Sequence, residues 1–169
     1  VEHVRLYHDQ ALYKESGGGF TPWHQDQYYW PLSTTQTITM WMPLIDIDEE
    51  MGMLTFASGS HKDGFVENVA ISDESEKKLE QHIKEKGFAI ERPLKMKAGN
   101  ASWHYGWTLH SAPGNTSPNT REVMTIIYFA DGASVIQPQN EHQEAVRKRW
   151  LGGLQPGSQA TSALNPLVI

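Results

Sequence analysis

The chain has 169 residues and no cysteine, so it can bury the core of one domain, but any metal must bind to nitrogen and oxygen ligands rather than thiolates. Its formal net charge of -6 disfavours binding to nucleic-acid phosphates or anionic lipid, which requires clustered Lys and Arg. Because it shows neither an apolar run long enough to span a membrane nor a basic stretch followed by an apolar one, we expect a cytoplasmic protein that acts on a small molecule.

The first predicted element is a strand from Val4 to Lys14, and a run of three glycines follows it. Strand side chains alternate between two faces. Tyr7, Ala11 and Tyr13 would lie on one face, and the opposite face would carry Val4, Leu6, His8, Gln10, Leu12 and Lys14. Since the chain begins almost directly with this strand and has no starting methionine, we expect an upstream segment to be missing.

The next segment, residues 21–30, is rich in aromatic residues and contains His24 and Asp26. On an extended segment an imidazole and a carboxylate separated by one residue point to the same side, so they could bind one metal ion. By itself this tripeptide is weak evidence, because His-x-Asp arises by chance in many proteins.

The middle of the chain combines strand patterns with one helix pattern. Residues 37–42 and 53–57 are β-branched and apolar, which predicts core strands. A charged stretch from Ser72 to Gly87, with acids early and lysines late, predicts a solvated surface helix without a chemical role. Strand patterns resume at residues 88–90 and 101–105.

The last part of the chain contains an apolar strand pattern at 123–129, a helix pattern at 141–151, and a tail rich in Gly, Pro and Ser from Gly152 onward. Many short strands with only one or two helices predict an all-β fold. We favour a jelly roll of the double-stranded β-helix, cupin-like type, because it pairs strands that are distant in sequence. Residues 1–169 are expected to form a single domain.

The chemistry rests on a joint pattern of four residues. His110 supplies a second imidazole before the last strand, and Arg121 follows it by eleven residues. Two histidines and one carboxylate are the ligand set of non-haem Fe(II) oxygenases, which leave positions open for a co-substrate and dioxygen. The ligands His24, Asp26 and His110 would supply one negative charge against the two positive charges of Fe(II). The open positions of the ion would therefore favour an anionic chelator. Arg121 can pair bidentately with a carboxylate at the far end of that chelator, which describes 2-oxoglutarate.

These residues resemble the phytanoyl-CoA dioxygenase family of Fe(II)/2-oxoglutarate oxygenases, and the likeness extends over nearly the whole chain. The segments that carry it are Tyr7–Lys14, Trp23–Asp26, Gly52–Lys62, Lys97–Gly99, His110–Arg121 and Asn165–Leu167. The resemblance implies that His24, Asp26 and His110 bind iron and act in catalysis, and that Arg121 binds the distal carboxylate of 2-oxoglutarate. Gln10 and Trp41 fall where the family contacts this co-substrate.

The reaction implied by the resemblance consumes 2-oxoglutarate and dioxygen, releases succinate and carbon dioxide, and hydroxylates an unactivated carbon of a small molecule. Asp26 occupies the position that is a small residue in related halogenating enzymes, so halogenation is disfavoured. Two features depart from the family pattern. Family members usually carry a helical segment before the first strand, which we expect to be missing here, and Ala112 stands where the family often has Ser, so a hydroxyl contact to the co-substrate is expected to be missing.

Several alternatives remain open at this stage. His104 lies six residues before His110 and is the main rival as third ligand, although it could equally be a core or supporting histidine. The aromatic residues near the metal segments could line a substrate cavity or pack in the core. Two other functions compete with the oxygenase: a cupin-like metal-binding or ligand-binding module, and a non-oxidative metal isomerase that works without dioxygen.

Overall fold

The computed structural model describes residues 1–168 and is mainly β-structure. Within that range it contains ten strands and two α-helices. The strands are β1 (Val4–Lys14), β2 (Thr21–His24), β3 (Thr37–Pro43), β4 (Ile47–Asp48), β5 (Thr55–Ala57), β6 (Ile90–Glu91), β7 (Lys95–Met96), β8 (Ser102–Tyr105), β9 (His110–Ala112) and β10 (Arg121–Ala130). The helices are α1 (Asp73–Lys86) and α2 (Glu141–Trp150).

Two antiparallel four-stranded sheets form the body of the protein. Their strand orders are β1-β10-β3-β8 and β2-β9-β5-β6, and β4 pairs with β7 in a small third sheet. The two large sheets face each other, because Trp41 and Val123 of the first pack in one core cluster with Ala112 of the second. The predicted all-β double-stranded β-helix with peripheral helices is confirmed.

Strict alternation in β3 and β10 determines which side chains face the interior. In both strands buried and half-buried residues alternate over most of their length, as expected for a sheet with one face covered. Val123 and Phe129 are almost completely buried, and each such side chain contributes about 1.5–3 kcal/mol. The same alternation turns Thr39, Trp41 and Arg121 inward, and a slip of one residue would expose all of them.

Strand β1 departs from the predicted alternation. Its register with β10 shifts between Leu6 and His8, which marks a β-bulge. A bulge inserts one extra residue and re-aims the side chains beside it. As a result Tyr7 and His8 are both buried although they are neighbours, whereas the sequence predicted that they lie on opposite faces.

Helix α1 is the predicted surface helix. The Ser72 hydroxyl accepts a hydrogen bond from the Ser75 backbone N–H (3.2 Å), and the Ser75 hydroxyl accepts one from the Ser72 N–H (3.0 Å), a reciprocal cap that satisfies the first turn. Leu79 and Ile83 are buried on one face, and this face packs against β2. Neither helix in the described range combines the length and hydrophobicity that crossing a membrane requires.

The segment after α2 is not a free tail. Leu151, Ala160 and Asn165 are fully buried, and the Leu6 backbone N–H of β1 donates a hydrogen bond to the Pro166 carbonyl at 3.1 Å. Composition alone predicted a tail, because the Gly, Pro and Ser content says nothing about a long-range contact with the first strand.

Candidate metal centre and its cavity

Two imidazoles and one carboxylate meet where β2 ends beside β9. His24 and His110 are register partners, and their ring centroids lie 4.0 Å apart. Asp26 is not on a strand as predicted, since it begins a single 3-10 turn that ends at Tyr29. Gln25 between the two ligand positions is nevertheless extended (φ -124, ψ 121), so His24 and Asp26 still project to the same side.

The donor atoms of these three residues form one cluster. Asp26 Oδ1 lies 3.5 Å from His24 Nε2 and 3.6 Å from His110 Nε2. All three donor atoms lie within 4.8 Å of one another. Neighbouring ligands that are about 2.1 Å from an octahedral ion stand about 3 Å apart, so the two distances from Asp26 nearly fit a metal ion, and all three donors would draw together on binding it.

The backbone fixes the tautomers of both histidines. The Nδ1 of His24 lies 2.8 Å from the Pro22 carbonyl, and the Nδ1 of His110 lies 2.9 Å from the Thr108 carbonyl. Because a carbonyl can only accept, each Nδ1 carries the proton and each Nε2 presents a lone pair to the cluster. Burial, with the neighbouring His24, lowers the pKa of His110 well below its ordinary value. The ring is therefore neutral, as a metal ligand must be.

The second oxygen of Asp26 has different partners. Thr39 Oγ1 donates to Asp26 Oδ2 at 3.3 Å, and His104 Nε2 lies 3.4 Å from the same oxygen. Burial raises the pKa of Asp26. The imidazoles of His110, His104 and His24 around the carboxylate outweigh the effect of burial and hold this pKa well below its usual range. The carboxylate is thus ionised, with Oδ1 directed to the ligand cluster. His104, the rival third ligand, contacts Asp26 and is not a member of the cluster.

Neighbouring loops and α1 hold the ligand segment in place. The Gln25 amide donates to the Gly64 carbonyl and to the Trp107 carbonyl, both at 2.7 Å. The Trp23 backbone N–H donates to Glu76 of α1 at 2.7 Å. Helix α1, which was predicted to have no chemical role, therefore supports the residue that precedes the first ligand.

Arg121 is buried at the start of β10. Its Nη1 donates to the Gly52 carbonyl, its Nε has no hydrogen-bond partner, and its guanidinium carbon lies 5.3 Å from the centroid of the Trp41 ring. Gly52 has φ +79, and a Cβ there would come within 2.5 Å of the Pro113 carbonyl oxygen, so this position requires glycine. Burial lowers the pKa of Arg121 to about 10, which leaves it charged at neutral pH.

Lys14 is a second buried cation at the same place, and sequence reasoning assigned it no role of its own. It is the register partner of Arg121, and its ammonium group donates to the Pro113 carbonyl at 2.8 Å and to the Thr21 hydroxyl at 3.3 Å. Burial, and then the charge of Arg121, lower the pKa of Lys14 to about 8. Its position on the inward face of β1 was the available signal.

A cavity of about 400 Å³ joins the three donor residues to Arg121. The other residues predicted to contact a co-substrate, Trp41 and Gln10, also line it, as does Ala112. Among the aromatic side chains considered for the wall, Tyr29 and Trp30 line the cavity, whereas Trp23 packs in the core.

Comparison with known proteins gives one family and one fold. The sequence profile of the family described as phytanoyl-CoA dioxygenase (PhyH) matches residues 1–123. A protein of Danio rerio, phytanoyl-CoA dioxygenase domain-containing protein 1, is 32% identical over 130 residues, which cover 73% of this chain and 44% of that protein. The chain therefore spans less than half the length of this relative.

Solved structures share the architecture. The epimerase SnoN, in complex with Fe³⁺, alpha ketoglutarate and nogalamycin RO, matches with a TM-score of 0.79 and 24% identity over 98% of this chain and 65% of its own. The carbocyclase SnoK matches with a TM-score of 0.77 and 25% identity over 99% and 63%. EctD from S. alaskensis, with 2-oxoglutarate and 5-hydroxyectoine, matches with a TM-score of 0.65 and 20% identity over 80% and 48%. At these identities the likeness to SnoN and EctD concerns the fold.

Proposed function

The chain belongs to the phytanoyl-CoA dioxygenase family, and from that premise we propose that it is an Fe(II)- and 2-oxoglutarate-dependent dioxygenase that hydroxylates a small molecule. The observation that carries the proposal is the convergence of His24, Asp26 and His110 donor atoms within 4.8 Å, in a cavity whose wall includes the buried guanidinium of Arg121. Residues 1–169 would form one catalytic domain.

Fe(II) is the proposed metal, because two neutral imidazoles and one carboxylate suit it and leave positions open for a chelating co-substrate and dioxygen. When bound, the iron couples oxidative decarboxylation of 2-oxoglutarate to succinate and carbon dioxide with oxidation of a substrate C–H bond. The residues around it bind and orient. His24 and His110 present their Nε2 lone pairs, and Thr39 with His104 restrains the remaining oxygen of Asp26.

Arg121 is proposed to bind the distal carboxylate of 2-oxoglutarate. Its Nη1 already donates to the Gly52 carbonyl, whereas its Nε is buried without a partner. The Nε edge of the planar guanidinium is therefore available for a carboxylate acceptor. Lys14 adds positive charge at this end, and Trp41 and Gln10 would complete the wall. Ala112 lines the same cavity and can supply no hydroxyl.

Hydroxylation is one of several reactions open to this class, since SnoN and SnoK are named as an alpha ketoglutarate-dependent epimerase and carbocyclase. The product distinguishes them. Hydroxylation adds one oxygen atom to the substrate, epimerisation leaves its mass unchanged, and ring closure removes two hydrogen atoms. Mass spectrometry of reactions run under ¹⁸O₂ therefore identifies the proposed reaction.

The decisive assay is consumption of oxygen and formation of succinate by the purified chain with Fe(II) and 2-oxoglutarate. We expect slow turnover without a substrate, faster turnover with one, and loss of both in Asp26→Asn. Asp9→Asn is the matched control, because Asp9 is an exposed carboxylate on β1. Failure of the wild type to bind or convert 2-oxoglutarate would refute the proposal. Conversion of a substrate without dioxygen would instead favour the isomerase. Full retention of metal in Asp26→Asn would favour the binding module.

A further inference from the structure

The cavity extends beyond the metal cluster to an end that is remote from Arg121. In the pairing of β1 with β10, Lys14 is opposite Arg121 and His8 is opposite Ile127. His8 and Lys14 are six residues apart on one strand, a separation of about 20 Å at 3.3 Å per residue. If the co-substrate occupies the Arg121 end, the His8 end remains for another molecule.

The wall of the His8 end is aromatic and aliphatic. Its residues are His8, Tyr29, Ile71, Val146 and Trp150. None of these side chains carries a formal charge when the imidazole is neutral. Burial lowers the pKa of His8 to about 4, so its ring is neutral at physiological pH.

Long-range contacts hold this wall in place. The His8 ring stacks on Trp150 with centroids 4.5 Å apart and planes at 16°. Asn165, which is fully buried, donates to the Tyr7 carbonyl at 3.0 Å and to the Trp150 carbonyl at 3.1 Å. Its amide therefore ties the bulge of β1 to the last residue of α2, and the wall is formed before any ligand enters.

Val146 and Trp150 belong to α2, which lies outside residues 1–123 that match the family profile. The metal ligands and Arg121 lie inside the matched range. The chain thus builds the co-substrate end from the segment that defines the family, and builds part of the opposite wall from a segment outside it. A wall of that origin is suited to determine which substrate is accepted.

Two polar groups interrupt the apolar wall. The Tyr29 hydroxyl accepts a hydrogen bond from the Ile71 backbone N–H at 2.7 Å, which leaves its own O–H free to donate. The neutral His8 ring can donate or accept through one nitrogen, while its Nδ1 is buried without a partner. These groups can orient a hydroxyl or carbonyl, but they cannot neutralise an anion.

We propose that the His8 end of the cavity binds an uncharged, mainly apolar part of the substrate, whose polar substituent is a hydroxyl or carbonyl rather than a carboxylate or phosphate. This inference rests on the proposed function. An anion placed there would lose its hydration without a cationic partner, which is costly. The charge of Arg149 on α2 contributes to the lowered pKa of His8, but this guanidinium is exposed, covers Trp150 with its carbon 4.6 Å from the ring centroid, and is not part of the cavity wall.

The test uses neutral and anionic probes of matched shape. 2-Naphthol and 2-naphthoate form one pair, and 1-octanol and octanoate form the other. Each is titrated by calorimetry into the full chain loaded with Mn(II) and 2-oxoglutarate. We expect at least one neutral probe to bind tenfold or more tightly than its anionic partner. Equal or tighter binding of the anions, or no binding of either neutral probe, would overturn the inference.

A charge introduced into the wall gives the second measurement. Val146→Lys should weaken binding of the neutral probe at least tenfold and favour the anionic one. Ala145→Lys is the matched control, because it adds the same charge one residue away on the exposed side of α2, and it should leave the preference unchanged. Equal effects of the two variants would contradict the proposed wall.

The two proposals fail in different ways. Titration of 2-oxoglutarate into the Mn(II)-loaded chain precedes the probe titrations. If 2-oxoglutarate does not bind, the oxygenase proposal fails and the inference falls with it. If 2-oxoglutarate binds but the neutral probes show no advantage, only the substrate inference is refuted.

Discussion

Replacing His104 tests whether a residue outside the ligand cluster governs the metal site. The imidazole Nε2 lies 3.4 Å from Asp26 Oδ2, and Thr39 Oγ1 lies 3.3 Å from the same atom. Together they restrain the carboxylate, whose Oδ1 faces the two histidines. In His104→Leu one restraint is lost, and Asp26 gains freedom to turn both oxygens toward the ion.

The size of the effect follows from the geometry. A hydrogen bond to a charged group contributes about 1.5–3 kcal/mol, and loss of a group that supports a ligand typically weakens metal binding about 10–100-fold. The contact is long for a charge-assisted hydrogen bond, so we expect the lower end. His104→Leu should weaken Mn(II) binding about tenfold, and adding Thr39→Val should weaken it further.

Calorimetric titration of Mn(II) into the metal-free protein measures this change, and the absorption spectrum of the Co(II) form reports any change in coordination number. His104→Gln is the matched control, because its amide retains an N–H donor and should recover much of the affinity. Wild-type Mn(II) affinity in a His104→Leu protein that circular dichroism shows to be folded would refute this role for His104. Equal Mn(II) affinities of His104→Gln and His104→Leu would also refute it.

Three further predictions concern the cavity and its supports. Arg121→Gln should weaken 2-oxoglutarate binding about 10–100-fold by removing a charge-assisted pair, measured by titration of the Mn(II)-loaded protein, and unchanged affinity would exclude the assigned role. Gly52→Ala should destabilise the fold and impair the same binding, because its positive φ and the nearby Pro113 carbonyl leave no room for a Cβ; a thermal melt equal to that of the wild type would argue against this. Burial lowers the pKa of His8 to about 4, so the unfolded chain binds more protons between pH 6.5 and 4, and metal-free protein should lose up to about 3 kcal/mol of stability as the pH falls through this window. The loss in free energy of unfolding between pH 7.5 and 4.5, measured by urea unfolding, should be smaller in His8→Phe than in the wild type. Equal losses in the two proteins would contradict this role of His8.

The fold class could be predicted from the sequence because several of its elements carry local sequence patterns. β3 and β10 alternate strictly, and α1 carries its own start and stop signals at Ser72 and Gly87. The family resemblance is confirmed by the profile match to residues 1–123, whereas Asn165–Leu167, which also suggested it, lie outside the matched range. No strand was predicted at His110–Ala112, so the pairing of β2 with β9 was anticipated only in general terms, by a jelly roll that pairs strands distant in sequence.

Other features depend on contacts that no local pattern encodes. The bulge in β1 buries both Tyr7 and His8, although simple alternation predicted that they lie on opposite faces, because pairing with β10 sets the register of β1. The partners of Asp26 Oδ2 come from β3 and β8, two strands of the opposite sheet. The part of the wall that Trp150 forms is also long-range, because Asn165 connects α2 to β1.

The most direct test of the central claim is an anaerobic titration of 2-oxoglutarate into the Fe(II)-loaded protein, followed by the visible charge-transfer absorption of an iron-bound 2-oxo acid. The band should appear in the wild type, be absent in Asp26→Ala, and require a higher 2-oxoglutarate concentration in Arg121→Gln. A wild-type protein that binds Fe(II) but gives no band, or a band that Arg121→Gln leaves unchanged, would contradict the proposed metal centre and its co-substrate.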